Sequence, residues 1–133
     1  MSIETILYDR LIEVAHLGKT IGRDEVAGLL GLDPTSPADR KELIRILDNI
    51  SYKENAAGRP LLSAVVVLPE IGYPGKAFFL LARELGLNQF GDDRSYYYYE
   101  LRHVHEYWKQ RQPQPTPFTY TPPVERSAVL AMR

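Results

Sequence analysis

Apolar side chains recur along the first half of the chain at spacings of three and four residues, which is the period of a helix with one buried face. The pattern predicts helices over residues 2–17, from about 24 to 30, and over about 37–53. At the start of the third helix Ser36 precedes Pro37, and a serine cap followed by proline at the first helical position is a common helix beginning. We therefore expect three consecutive helices in this half.

A different pattern follows the third helix. Residues 61–68 read Leu-Leu-Ser-Ala-Val-Val-Val-Leu, a β-branched, almost wholly apolar run bounded by prolines, which predicts a strand covered on both faces. Residues 70–75 contain two glycines and a Pro-Gly step, which favours a loop or hairpin tip. The helical period returns over residues 76–85 and over about 94–111. The chain thus predicts about five helices with a small sheet or hairpin.

The periodic pattern ends after residue 112. Five of the ten prolines lie in residues 113–133, and proline cannot occupy a helix interior, so this segment favours an extended, polyproline-like arm. Its alternating prolines are Pro113, Pro115 and Pro117. We therefore divide the chain into a folded domain over residues 1–112 and a proline-rich extended tail over residues 113–133.

Composition and charge exclude several classes of protein. The chain has 133 residues, a formal net charge of −1 and no cysteine, so it has no global attraction for polyanions and no thiolate chemistry. Its amino terminus lacks the basic and apolar regions of a signal peptide. No apolar run approaches the roughly 20 residues that span a bilayer. We expect a single-domain cytoplasmic protein that makes no membrane contact.

Recognisable catalytic and cofactor-binding patterns are absent from the sequence. It contains no Ser-His-Asp set, no P-loop and no dinucleotide-binding glycine motif. His103 and His105 are two positions apart, which places them on nearly opposite sides of a helix and prevents them from binding one metal together. We expect no cofactor, no metal and no enzymatic activity. An enzyme with scattered catalytic residues stays open as a third alternative.

The order of predicted elements is that of a winged helix, an α+β fold: helix, helix–turn–helix, strand, glycine-rich hairpin, helix. Residues 11–32, Leu-Ile-Glu-Val-Ala-His-Leu-Gly-Lys-Thr-Ile-Gly-Arg-Asp-Glu-Val-Ala-Gly-Leu-Leu-Gly-Leu, resemble the start of the DNA-binding domain of the methylated-DNA alkyltransferases and the alkyltransferase-like proteins. In that family a recognition helix, a proline-led strand and a glycine-rich wing follow. Their counterparts here are residues 40–49, 60–67 and 72–75. The resemblance implies a winged-helix-like domain that binds DNA.

The chain departs from this family at the reactive motif. The alkyltransferases carry Cys-His-Arg after the proline, whereas Pro60 is followed here by Leu-Leu-Ser. Alkyl transfer is excluded because the nucleophile is missing. The family's nucleotide-rotating tyrosine corresponds roughly to position 22 or 23, which holds glycine or arginine here. The resemblance still implies duplex binding through the third helix. The contacts it implies are Arg23, Arg40, Lys41, Arg45 and Lys76.

The charge of the third helix leaves two interpretations open. Residues 37–53 hold four basic and three acidic side chains, and DNA binding depends on phosphate neutralisation. One interpretation is a non-enzymatic DNA-binding domain of the transcription-regulator kind. It would place this helix in the major groove and the loop at residues 70–76 as its wing. The other is a solvated helix face with local ion pairs.

Four successive tyrosines at residues 96–99 suggest an alternative function. On a helix they point in directions about 100° apart, so one or two face the core and the others are exposed. Aromatic residues are enriched at protein interfaces. The alternative is therefore a module that binds a protein partner or itself through the last helix and the tail. Its candidate contacts are Tyr96, Tyr99, Tyr107, Pro113, Pro115 and Pro117.

Overall fold

The structure is a computed structural model, and it describes residues 2–88 and 91–111. The described chain forms five α-helices, one 3₁₀ turn and two short strands. In chain order these are α1 (Ile3–His16), β1 (Ile21–Gly22), α2 (Arg23–Leu29), α3 (Pro37–Ala56), the 3₁₀ turn (Leu62–Val65), β2 (Val66–Val67), α4 (Lys76–Glu84) and α5 (Asp93–Lys109). The predicted arm with Pro113, Pro115 and Pro117 lies outside the described residues.

Local sequence signals set the bounds of α3. The Ser36 hydroxyl accepts a hydrogen bond from the backbone N–H of Asp39 at 3.2 Å, with Pro37 at the first helical position. This confirms the predicted serine cap. The helix continues past its predicted end to Ala56. Gly58 then follows at a φ of +77°, a left-handed conformation that glycine adopts without steric strain.

Residues 61–68 do not form the predicted strand. Leu62–Val65 make a 3₁₀ turn, and within this run only Val66 and Val67 form a strand. Val66 pairs with Ile21 of β1 in a two-stranded parallel sheet. All residues from 61 to 67 are buried, so the predicted cover on both sides is present. A short apolar run does not show whether its backbone forms a strand or a turn. Here a turn enclosed by α1, α3 and α5 buries the same side chains that a central strand would bury.

The predicted loop or hairpin tip is a closed turn. The backbone N–H of Leu68 donates to the carbonyl oxygen of Tyr73 at 3.0 Å, and the N–H of Gly72 donates to the carbonyl oxygen of Leu68 at 2.8 Å. These bonds bring the chain directly back to the start of α4. The architecture is therefore mostly helical with a small parallel sheet, compatible with the predicted α+β class.

The core lies where α1, α3 and α5 enclose the 3₁₀ turn. Its large, fully buried apolar and aromatic side chains come from these elements and from α2. They are Leu7, Leu11, Val26, Leu43, Ile46, Ile50, Leu61, Leu62, Val65, Tyr96 and Tyr97. Burial of this surface is the main source of stability. No helix in the described part of the chain is long and apolar enough to cross a membrane.

Truncation of Leu62 tests the position of the core. Leu62→Ala is expected to lower the free energy of unfolding by about 2–5 kcal/mol, because it removes buried methyl groups and leaves a cavity. Leu80→Ala on α4 is the matched control, since that side chain is 51% exposed, and we expect a change of about 0.5 kcal/mol or less. Denaturant unfolding measures both. An equal loss of unfolding free energy in the two variants would contradict the described position of the core.

Buried tyrosines predict the response to alkaline pH. Burial is the main cause that raises the pKa of Tyr97 to about 12, and it raises the pKa values of Tyr8 and Tyr96 as well. A raised pKa means that folding favours the neutral phenol, so this contribution is complete below the ordinary tyrosine pKa of about 10. We expect the free energy of unfolding to fall between about pH 10 and pH 12. Denaturation at stepped pH, with tyrosinate absorbance, measures the fall, and an unchanged stability would contradict it.

Candidate functional site

A pocket of about 220 Å³ opens between α3, the start of α4 and the junction of β1 with α2. Its walls are mostly apolar and include Ile44 and Leu47 of α3, Val66 of β2 and Phe78 of α4. The closed turn before α4 completes the rim with Pro74. Four separate parts of the chain therefore form one concave site, and concave, mostly apolar sites are the usual form of binding pockets.

Two serine hydroxyl groups lie at this pocket. Ser51 and Ser63 both line it and are 1% and 5% exposed. Their oxygen atoms are 2.6 Å apart, and the Ser51 hydroxyl also donates to the carbonyl oxygen of Leu47 at 3.0 Å. The pocket thus contains a nearly buried, hydrogen-bonded hydroxyl pair.

Asp48 supplies a carboxylate to the pocket lining. Partial burial raises the pKa of Asp48 above its ordinary value, and the nearby Glu84 carboxylate adds to this. Burial and a like charge both disfavour the ionised form, because each makes the negative charge harder to solvate. A group that donates a hydrogen bond to Asp48 would relieve this.

Two basic side chains line the same pocket, and two more lie on the same face of α3. Arg23 and Lys76 line it, and the Nε atom of Arg23 is buried without a hydrogen-bond partner. Arg40 and Lys41 are exposed and lie three or four residues before the pocket-lining Ile44, so they share its face of α3. Within residues 2–88 and 91–111, none of these four cations forms an ion pair. Two of the five predicted basic contacts therefore line the pocket, and Arg40 and Lys41 lie outside its lining, one turn earlier on the same face of α3.

Arg45 does not join this group. Its Nε and Nη2 atoms bind both oxygens of Glu42 at 3.0 and 2.6 Å. This pairing lowers the pKa of the Glu42 carboxyl, and the Glu4 carboxylate of α1 also acts on Arg45. Arg45 thus forms the local ion pair that the alternative interpretation of the helix predicts.

Comparison with known proteins assigns no family to this pocket. No family model, curated protein or solved structure matches the chain. The resemblance to the alkyltransferase family therefore stays a prediction. The function of the pocket is inferred from the side chains that form it.

Tyr96, predicted as a partner contact, has no exposed surface, so this part of the prediction is wrong for the folded chain. Its ring stacks on Phe78 of α4 with the centroids 6.2 Å apart. Sequence periodicity favours a buried seam through Tyr97 and Val104, which are buried. Tyr96 and Glu100 are buried as well, so the buried face of α5 is wider than the predicted seam.

The other two predicted tyrosine contacts lie on a second, wider groove of about 930 Å³ along α5. Tyr99 and Tyr107 line it with His103 between them, and Arg59 lines the opposite wall from the chain after α3. The rings of Tyr99 and His103 are 4.2 Å apart. The guanidinium of Arg111 lies 3.7 Å from the Tyr107 ring centroid. Two of the three predicted tyrosine contacts therefore lie in one groove.

The histidines of α5 face different neighbours. His103 contacts the Tyr99 ring, whereas the Nε2 atom of His105 lies 2.9 Å from the carbonyl oxygen of Lys19. No cluster of three or more potential metal-ligating side chains occurs in the described ranges. These contacts agree with the opposite directions predicted from their spacing.

Sequence reasoning missed the polar residues inside the pocket. Ser63 is the one polar residue in the apolar run at 61–67, and Ser51 is four residues after Leu47 on the inward side of α3. The sequence does contain a signal for them, because each is a small polar residue at a position that the apolar pattern predicts to be buried. Such residues need a hydrogen-bond partner, which identifies them as candidates for a polar pair.

Proposed function

We propose that the protein binds duplex DNA through the face of α3 and α4 that carries the pocket. Four cations that form no ion pair with any described residue carry this proposal: Arg23 and Lys76 in the pocket lining, and Arg40 and Lys41 on the pocket side of α3, one turn before Ile44. Lysine and arginine side chains without ion-pair partners are available to neutralise phosphates, which releases counterions and drives association. In this proposal α2 and α3 act as the helix–turn–helix of a winged-helix domain, with the turn at residues 68–75 as its wing.

The pocket is suited to a base that has left the duplex. Its volume of about 220 Å³ exceeds the roughly 150 Å³ of a cavity that holds benzene, so an aromatic ring system fits. Ile44 and Phe78 provide apolar contact for the ring faces. Removal of a paired base from the stack costs a few kcal/mol, and an unpaired or mismatched base costs least. Gly22 and Arg23 offer no aromatic ring to replace the base, so we infer that the protein favours bases that are already unpaired.

A bulged duplex tests this proposal. At low salt, a duplex with one bulged base is expected to bind roughly tenfold more tightly than its fully paired counterpart, since contact with one base is worth about 1–3 kcal/mol. Fluorescence anisotropy titrations measure the ratio. Ala77→Leu, which fills the pocket lining, is expected to reduce it. Ala56→Leu, at the exposed end of α3, is the control that retains it. Equal binding of both duplexes would contradict the proposed role of the pocket.

A second candidate is protein binding along α5. The groove through Tyr99, His103 and Tyr107 favours it, because aromatic rings on a helix face suit extended or proline-rich segments. In that case the fully paired and bulged duplexes would both fail to bind. Tyr107→Ala would instead shift the oligomeric state or abolish peptide binding, as sedimentation or calorimetry would show.

A further inference from the structure

The aromatic rings along the groove of α5 follow one another at a regular interval. Tyr99, His103 and Tyr107 line this groove and are four residues apart, and residues four apart lie on one face of a helix. At a rise of 1.5 Å per residue, successive members of this set are about 6 Å apart along the helix axis. Tyr99 is 50% exposed, and Arg59 lines the opposite wall. The groove therefore presents a row of rings with a constant step.

The chain that leaves α5 starts at this groove and carries prolines with the same step. The described residues end at Arg111, which itself lines the groove, and residues 112–133 follow. In this segment Pro113, Pro115 and Pro117 alternate with glutamine and threonine. A residue before proline is restricted to extended conformations, and a polyproline-like chain rises about 3.1 Å per residue. Alternate prolines are then about 6 Å apart, which matches the step of the rings.

The reach of the chain decides how the two rows can align. Two residues of extended chain span at most about 7 Å. That span does not allow Pro113 to leave the helix, reverse direction and return past the helical turn between Arg111 and Tyr107, which is about 6 Å along the axis. Four residues span up to about 14 Å, so Pro115 is the first proline that reaches Tyr107. Pro113 therefore belongs to the turn.

We propose that residues 115–119 of the same chain bind in this groove and run antiparallel to α5. Pro115 then faces Tyr107, and Pro117 faces His103. Grooves lined by aromatic rings are the usual receptors of proline-rich segments, whose extended form costs little conformational entropy to bind. The sequence and the groove thus supply both halves of one contact.

Tethering selects the chain's own tail over a separate partner. A segment joined to its site by a short linker has an effective concentration on the order of millimolar, which exceeds the concentration of a second copy or another protein in a micromolar solution. Any other proline-rich segment must therefore displace the tail first. The groove and the pocket share no lining residue, so this inference does not depend on DNA binding.

A spin label in the tail tests this docking in the full chain. The sequence has no cysteine, so Thr119→Cys provides a single attachment point for a nitroxide. In the proposed alignment position 119 lies beside Tyr99. Amide signals of α5 are then expected to lose most intensity at Tyr99 and progressively less toward Arg111. A tail that continues away from the helix gives the reverse order, with the largest loss at Arg111, and that order would overturn the proposal.

Two tyrosine variants of the labelled chain test the groove side of the contact. Tyr107→Ala removes a ring from the groove, so the loss of intensity at Tyr99 is expected to shrink. Tyr98→Ala removes a ring of the same helix that is 55% exposed and lies outside the groove lining, and it is expected to keep the wild-type pattern. Circular dichroism checks that both variants are folded. The same pattern in both would overturn the proposed contact.

Two double variants test the tail side and leave the folded domain unchanged. Pro115→Gly with Pro117→Gly removes the two contacting rings and frees the backbone, so the loss at Tyr99 is expected to shrink. Pro122→Gly with Pro123→Gly changes the tail beyond the label and is expected to keep the loss. A full loss at Tyr99 in both double variants would contradict the alignment of prolines with rings.

A mixture of two preparations distinguishes binding within one chain from binding between chains. One preparation carries the isotope label without the nitroxide, and the other carries the nitroxide without the isotope. We expect no loss at Tyr99 in the mixture. A loss there would show that the tail of a second copy occupies the groove, and would overturn binding within the chain. No sample contains DNA, so failure of this inference leaves the proposed function to its own test.

Discussion

Replacement of Glu54 by alanine is expected to lower the free energy of unfolding by about 3–5 kcal/mol. Glu54 is 0% exposed, and its Oε1 atom accepts hydrogen bonds from the Tyr8 hydroxyl at 3.0 Å and from Arg59 Nε and Nη2 at 3.0 and 2.7 Å. The variant leaves a half-buried guanidinium and a phenol without their shared acceptor. These bonds join α1, α3 and the chain after α3, so their loss affects the whole fold.

An exposed pair on the same helix provides the control. Glu42→Ala breaks the ion pair with Arg45, whose side chain is largely exposed, and exposed pairs contribute only about 0–1 kcal/mol. Guanidinium unfolding of both variants compares the two losses. If Glu54→Ala costs no more than Glu42→Ala, the buried network does not stabilise the protein as described.

Removal of three cations from the pocket face is expected to weaken DNA binding and its salt dependence together. The variant combines Arg40→Ala, Lys41→Ala and Lys76→Ala. Each phosphate contact contributes about 0.9 to the slope of log affinity against log salt, so the slope is expected to fall by about 2.5 to 3. Since the affinity rises as salt falls, the loss is largest at low salt. Anisotropy titrations at four or five salt concentrations measure it.

A second triple variant removes the same charge at positions away from the pocket. It distinguishes the loss of specific phosphate contacts from the effect of a lower net charge. Lys53→Ala, Arg102→Ala and Lys109→Ala remove three exposed cations, of which Lys53 pairs with Glu4 on α1 and Arg102 pairs with Glu106. We expect this variant to keep most of the wild-type slope. Equal losses in the two triple variants would show that long-range charge alone drives binding, and would contradict a defined interface.

The sequence predicts the helices well because their signals are local. The period of apolar residues and the Ser36 cap lie within the elements that they define, and the helices end close to the predicted residues. The demand for burial at residues 61–67 is equally plain in the sequence. The conformation of these residues is not visible in the sequence, because the helices packed around them determine whether they form a strand or a turn.

The site was harder to predict because it depends on distant residues. Ser51 and Ser63 belong to a helix and a turn, and nothing in either segment shows that their oxygens meet. The burial of Tyr96 depends on where Phe78 of α4 packs, since adjacent tyrosines are interchangeable in a helical pattern. The five basic contacts came from the family resemblance, and the departure of Arg45 follows from its ion pair with Glu42 on the preceding turn of α3.

Backbone amide shifts during a DNA titration test the proposed interface most directly. The full chain, isotope-labelled, is titrated at low salt with a short duplex that carries one bulged adenine. We expect the largest shifts around the pocket, at Arg23, Arg40, Lys41, Ile44 and Lys76, and we expect added salt to reverse them. Shifts confined to Tyr99, His103 and Tyr107, or no shifts at all, would contradict DNA binding by this face.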